Sequence, residues 1–302
     1  MKRLVLSIAL AFAFVAPAFC QKLSTADSLA MIKPKYWSAG ASVQLGFSQL
    51  SLTNWSAGGE GQISVNTFAD IFIDYYKDKV KWTNEFQLGY GFIHSFVKGF
   101  EKSDDRLIVD SKFGYKAVDK LYISADYNLR TQFASGYSGD VLVSNFFAPA
   151  NMTLGIGVDY TPSSAVSLNF SPLTGKTVIV NVPELRTRYG NAEDQACRFE
   201  LGAQLTAQAN LAIQNFKFNT KVILFSDYLN KPQNVKITWD ANVEANLSKF
   251  FSVVLRTNFI YDDTVLLTKK DKDTGEYYEA AGVQFKELFT IGLSYTIGKK
   301  RK

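Results

Sequence analysis

The chain has 302 residues with 33 Lys and Arg against 28 Asp and Glu, a formal charge of +5 that is too small to mark a nucleic-acid partner. One His and, in the exported chain, one Cys are too few for a His/Cys metal cluster, and neither a metal nor another cofactor is expected. Aromatic residues make up 14% of the chain while Pro and Cys are scarce, which favours β-sheet and excludes a disulfide scaffold.

The chain opens on Met1-Lys2-Arg3, an apolar run from Leu4 to Val15, and then Pro17-Ala18-Phe19-Cys20 before Gln21-Lys22. This three-part layout predicts a secretory signal peptide over 1–20, cleaved after Cys20. Pro17-Ala18-Phe19 is a poor lipobox for acylating Cys20. Loss of Lys2 and Arg3 lowers the basic count from 33 to 31 against the same 28 acidic residues, so the exported chain carries +3 and retains Cys197 alone, with no partner for an internal disulfide. Residues 21–35 read as a short periplasmic lead-in. No later segment approaches the roughly 18 apolar residues that a spanning helix needs.

From Tyr36 onward the chain alternates apolar and polar residues in segments of about 10 or more, the pattern of membrane-barrel strands. Twelve segments are counted, which predicts an all-β, antiparallel up-and-down transmembrane β-barrel over 36–298. In one, Leu121, Ile123, Ala125, Tyr127 and Leu129 oppose Tyr122, Ser124, Asp126, Asn128 and Arg130. In another, Val235, Ile237, Trp239, Ala241, Val243, Ala245 and Leu247 oppose Lys236, Thr238, Asp240, Asn242, Glu244 and Asn246. Phe251, Val253, Leu255 and Phe259 oppose Ser252, Arg256 and Asn258. In the last segment Phe289, Ile291, Leu293, Tyr295 and Ile297 oppose Lys286, Thr290, Gly292, Ser294 and Thr296. The alternation is weakest from Val166 to Phe170, where ten or fourteen strands would also parse.

The connections alternate in length. Short ones are read at Lys77-Asp78-Lys79, Val118-Asp119-Lys120, Pro162-Ser163-Ser164, Asn210-Leu211-Ala212 and Leu247-Ser248-Lys249. Long ones are read from Gln49 to Gly59, Ser95 to Asp105, Ala134 to Ala150, Pro172 to Ala196, Ser226 to Asn234 and Asp263 to Gly282. Outer-membrane barrels show this rhythm, with tight periplasmic turns and longer outside loops. It predicts an even strand number with both termini in the periplasm. Trp37, Trp82, Trp239, Tyr75, Tyr115, Tyr160 and Tyr295 lie near strand ends on the outward parity, where amphipathic rings favour the headgroup level. The basic run Lys299-Lys300-Arg301-Lys302 is expected to stay in the periplasm.

The loops carry recognisable phrases: Gly46-Phe47-Ser48-Gln49-Leu50-Ser51-Leu52-Thr53-Asn54-Trp55-Ser56-Ala57-Gly58-Gly59-Glu60, Asn145-Phe146-Phe147-Ala148-Pro149-Ala150 and Ser171-Pro172-Leu173-Thr174-Gly175-Lys176. Asp227-Tyr228-Leu229-Asn230-Lys231-Pro232-Gln233-Asn234-Val235, Tyr261-Asp262-Asp263 and Val283-Gln284-Phe285-Lys286-Glu287 follow. In this order they resemble a family of Bacteroidota outer-membrane proteins catalogued as domain of unknown function 3078 (DUF3078). The resemblance implies an outer-membrane barrel and brings no activity, substrate or catalytic residue. The basic tail after Ile297 departs from the terminal aromatic residue of common barrels and puts in doubt how the barrel-assembly machinery, an expected partner, reads the last strand. Outer-membrane lipid and lipopolysaccharide are the other expected partners.

The single His94 shares the outward parity of Tyr90 and Phe92, so a Ser-His constellation lacks its base and no enzymatic activity is expected. Asp271-Lys272-Asp273-Thr274-Gly275-Glu276 has alternate carboxylates before a glycine but not the ligand spacing of a calcium loop, and reads as a polar hairpin tip. Asn-x-Ser/Thr matches at Asn54, Asn151 and Asn246 carry no acceptor role in this compartment. Inward parity places Asp70, Asp74, Glu85, Asp110, Lys112, Lys116, Asp126, Arg130, Asp159, Arg198, Glu200, Lys217, Lys221, Lys236, Asp240, Glu244, Arg256 and Lys286 in the lumen. Such mixed charges either pair across an occluded interior or line a narrow polar passage. Phe146 and Phe147 are candidates for an inward loop constriction, and Trp55 beside Gly58-Gly59 for an outer ligand contact. The expected role is passage of small polar solutes. The alternatives are a structural or partner-binding barrel acting through its loops, and a soluble periplasmic β-protein.

Overall fold

The computed structural model describes residues 36–50, 62–96, 99–248, 250–271 and 275–298. The signal peptide, residues 21–35, the tail at 299–302, Trp55 and the acidic-tip residues Lys272, Asp273 and Thr274 lie outside the described residues.

Twelve antiparallel strands close into one barrel. They are β1 (Trp37–Leu50), β2 (Gln62–Lys77), β3 (Val80–Ser95), β4 (Gly99–Val118), β5 (Leu121–Thr131), β8 (Ala150–Ser163), β9 (Val166–Ile179), β10 (Cys197–Ile213), β11 (Phe216–Asp227), β12 (Val235–Asn246), β13 (Phe251–Lys270) and β14 (Tyr277–Gly298). A hairpin of β6 (Gly136–Ser138) and β7 (Val141–Ser144) stands in the connection from β5 to β8. Each wall strand neighbours the next in sequence, and β14 closes on β1. Strand number and topology match the sequence expectation. The region of weakest alternation forms the start of β9, paired with β8 on one side and β10 on the other.

One end of the barrel is set by two-residue turns. The pairs Lys77↔Val80, Val118↔Leu121, Ser163↔Val166 and Ile213↔Phe216 each close a hairpin. Asp78, Lys120 and Gln214 take left-handed φ values of 52°, 60° and 52° there, the sense of turn that matches the twist of the flanking strands. The turn expected at Asn210-Leu211-Ala212 is instead at Gln214-Asn215, because Leu211 and Ala212 continue the ladder opposite Phe218 and Lys217.

At the other end three expected loops shrink into strand. β4 begins at Gly99, β9 continues to Ile179, and β13 and β14 run to Lys270 and from Tyr277. In each case alternation persists and a neighbouring ladder takes up the backbone groups, as where Thr174, Lys176 and Val178 pair with Gly202, Glu200 and Arg198. Pro172 falls where the β9 ladders shift register on both sides, a place where its missing N–H breaks no bond. Facing it on β8, Gly157 has no room for a Cβ, which would collide with the Phe170 carbonyl.

The two longest described connections, 132–149 and 180–196, pack on each other. Ala148, Val178, Val180 and Leu185 form a small apolar core against Leu142, Val182 and Tyr189. Tyr189 Oη donates to the Val143 carbonyl at 2.7 Å, and Asn191 Nδ2 donates to the carbonyls of Val178 and Ala196.

The wall is inverted relative to a water-soluble protein. Val243 is 37% exposed on the outside while its neighbour Glu244 is 4% exposed inside. Exposed Phe113, Ile123, Leu154, Phe170, Phe218, Phe251 and Leu293 continue the apolar outer face around the strands, whereas most fully buried side chains are polar. An apolar surface of this extent is the distribution that a lipid surrounding selects. Trp82 and Trp239 are exposed on it, their indole N–H groups held by Ser111 Oγ at 2.9 Å and Thr220 Oγ1 at 2.8 Å. Among the described residues, no helix is long and apolar enough to cross a membrane.

Candidate functional site

The interior is built by the inward half of every strand. Three cavities are found in it among the described residues. The largest, about 520 Å³, lies at the long-loop end and is lined by residues such as Arg106, Arg130, Lys176, Arg198, Lys236 and Lys286. Two smaller ones, about 240 Å³ and 190 Å³, lie side by side toward the turn end.

Ion pairs bridge the waist between them. Arg130 of β5 reaches Asp240 of β12 across the lumen, and Lys221 of β11 reaches Asp110 of β4 at 2.6 Å. Amides complete each acid: Asn258 Nδ2 donates to Asp240, and Asn128 Nδ2 donates to Asp110 at 2.6 Å. These side chains are also the cavity walls. Arg106, Arg130 and Asn258 border both the large cavity and the 240 Å³ one, Asn128 borders the large and the 190 Å³ one, and Asp110 and Lys221 border both smaller cavities.

At the long-loop end, Glu200 is surrounded by Arg198, Lys236 at 2.7 Å and Lys176 at 3.5 Å. Asp262 shares two of these cations, Lys176 at 3.1 Å and Lys236 at 3.3 Å. On the opposite wall Asp104 lies between Arg106 at 2.6 Å and Lys286 at 2.7 Å. Arg198 ties this layer to β13 by donating to Thr264 Oγ1 and to the 180–196 connection by donating to the Tyr189 carbonyl. Burial pushes the Tyr189 hydroxyl above its usual range, partly offset by Arg188.

Toward the turn end, Arg256 donates to Gln44 Oε1 at 2.7 Å and pairs with Asp70 at 3.3 Å. Its guanidinium lies 4.3 Å from the Phe68 ring centroid, and Arg106 is 5.3 Å from the same ring, so Phe68 is buried between two cations. Glu244 pairs with Lys217 at 3.0 Å. Lys112 binds Asp159 at 2.8 Å and Ser167 Oγ at 3.1 Å, and Asp126 accepts from Ser171 Oγ at 2.9 Å. Lys116 is at the rim, in an exposed pair with Asp119.

The inward residues named from parity therefore meet mostly as pairs. Parity alone missed Asp104, Arg106, Lys176 and Asp262, since all but Arg106 lay in segments read as loop or motif. The signal was available: Arg256, Asn258 and Ile260 lead by steps of two to Asp262, as Asp110 and Ile108 lead back to Arg106 and Asp104. Phe146 and Phe147 touch each other edge to face at 4.8 Å and line none of the three cavities. The loop residues that do line the large cavity are Gln132, Pro149 and Tyr189. Ala148, next to them in the chain, is buried in the apolar core that this loop shares with 180–196. Among the described residues no group of His, Cys, Asp and Glu is arranged to hold a metal ion.

Residues 47–137 match the family model described as Protein of unknown function (DUF3078). No curated protein matches the chain. Among solved structures it is similar to the COG4313 outer membrane channel from Pseudomonas putida F1, at 11% identity and a TM-score of 0.40, covering 88% of this chain and 96% of that one. It is similar to the translocator domain of the autotransporter NalP from Neisseria meningitidis at 9% identity and a TM-score of 0.35, covering 94% and 97%. A third is OmpT from Vibrio cholerae, at 8% identity and a TM-score of 0.30, covering 86% and 97%.

Proposed function

We propose that this protein is an outer-membrane barrel that lets small polar solutes cross through its lumen. Its apolar wall contacts membrane lipid and lipopolysaccharide, and the barrel-assembly machinery inserts it after export. The family-model match over 47–137, with the loop motifs that follow it, supports placing the whole chain among the DUF3078 proteins; a Bacteroidota source is part of the proposal.

One observation carries the passage reading. The three cavities abut, and the partitions between them are side chains, with Arg106, Asp110, Asn128, Arg130, Lys221 and Asn258 each bordering two of them. A side-chain partition opens by rotamer changes. Breaking a partly buried ion pair that faces cavity water costs about 2 kcal/mol, which thermal motion supplies often enough to open it.

Single-channel recording in planar bilayers tests this. The expected result is a small unitary conductance that rises when Arg130→Ala removes the bridge to Asp240. An inserted, folded barrel that carries no current, with or without the substitution, would refute passage. The two cross-lumen ion pairs favour a second reading, an occluded barrel that binds a partner through its loops, and that silent outcome would support it.

A further inference from the structure

The charge of the lumen is unevenly distributed along its length. The two turn-end cavities are lined by nearly matched numbers of acids and bases: Asp70, Glu85, Asp110, Asp240 and Glu244 face Arg106, Arg130, Lys217, Lys221 and Arg256 in one. In the other, Asp74, Glu85, Asp110 and Asp126 face Lys81, Lys112 and Lys221. The large cavity differs. Its six cations, Arg106, Arg130, Lys176, Arg198, Lys236 and Lys286, pair with only four carboxylates, Asp104, Glu200, Asp240 and Asp262. Asp105, the remaining acid on its wall, is committed elsewhere, since its carboxylate accepts from the backbone N–H groups of Phe133 and Ala134 and from Lys102.

We infer that the large cavity is a binding site for a small organic anion, a carboxylate or phosphate on a short carbon skeleton. The excess of cations over carboxylates at this end, inside a low-dielectric wall, concentrates anions there. The volume of about 520 Å³ falls within the range of small-molecule sites. A donor is in place: the Lys286 side chain is 44% exposed, the most accessible cation of the cluster. Ile108, Val178, Phe225 and Ile260 supply an apolar wall for a carbon skeleton, while Gln132 and Gln204 supply neutral polar groups. The inference deepens the passage reading by naming a solute class, and the site itself would bind whether or not the lumen conducts.

Titration calorimetry on the whole protein folded in detergent tests the site with inorganic phosphate and with succinate, which separates the two oxyanion types. At least one is expected to bind. Lys286→Gln, which leaves Asp104 paired with Arg106, is expected to weaken it on the order of tenfold, the effect of losing one charged hydrogen bond. Lys112→Gln, in the 190 Å³ cavity, is expected to leave it unchanged. Binding of neither anion, or an equal loss from both substitutions, would overturn the site. Bilayer current is recorded separately, so a silent barrel that binds anions removes passage alone, and a conducting barrel that binds none removes the anion site alone.

Discussion

On β12 the outward Ile237, Trp239, Ala241 and Val243 and the inward Lys236, Thr238, Asp240, Asn242 and Glu244 are interleaved along the chain, yet the two sets answer to different surroundings. Outside, a charge has nothing to pair with and an aliphatic side chain costs nothing. Inside, nearly every charge has found an opposite one, and the largest buried apolar side chain, Phe68, is held between guanidinium groups. Burial in this protein therefore does not mean apolar. What decides tolerance at a position is which solvent the side chain replaces.

The two faces of one strand should respond very differently to an added charge. Val243→Arg is expected to destabilise the barrel by about 2–4 kcal/mol, as for a cation near a bilayer midplane, whereas Asn242→Arg, one residue away in the 240 Å³ cavity, is tolerated. Urea unfolding in lipid vesicles followed by tryptophan fluorescence measures both, and equal losses would refute the facing.

A smaller effect separates depths within the lumen. Glu200→Ala strands Arg198 and leaves Lys176 and Lys236 with Asp262 alone, and is expected to cost about 2 kcal/mol, below the range for a fully dry pair because cavity water rescues part of it. Next comes the loop cap. Tyr189→Phe removes the bond to the Val143 carbonyl and should cost about 1 kcal/mol, seen as faster proteolysis within 180–196 with the wall intact. The least effect is expected from Lys116→Ala at the rim, whose exposed pair with Asp119 should leave the unfolding midpoint unmoved.

Strand number, facing and most short turns were legible because alternation is a local property: each residue declares its side of the wall. Strand ends were less legible at the long-loop side. Glu101, Lys102, Lys269 and Glu279 look like loop residues, and only the ladder on the adjoining strand decides that they are extended. Which inward charges meet was not legible at all. Arg130 and Asp240 are 110 residues apart, and their contact depends on how the sheet is sheared when it closes, which no single strand encodes. Phe146 and Phe147 misled for a related reason, since Ala148, next to them in the chain, is buried in a core shared with another loop.

The seam between β1 and β14 pairs Gly40 with Gly298 and Gly46 with Gly292, and a Cβ at Gly292 would collide with the Leu45 carbonyl. The seam joins the first strand to the last, whereas every other wall pair joins neighbours in sequence. Until that last zipper shuts, both edges present unpaired N–H and C=O groups, so the chain has no half-assembled state in which its backbone is satisfied in lipid. Completion is all or nothing. A chain cut anywhere within β14 forfeits the joint that removes both edges at once, and is left to aggregation or proteolysis rather than to a smaller working barrel.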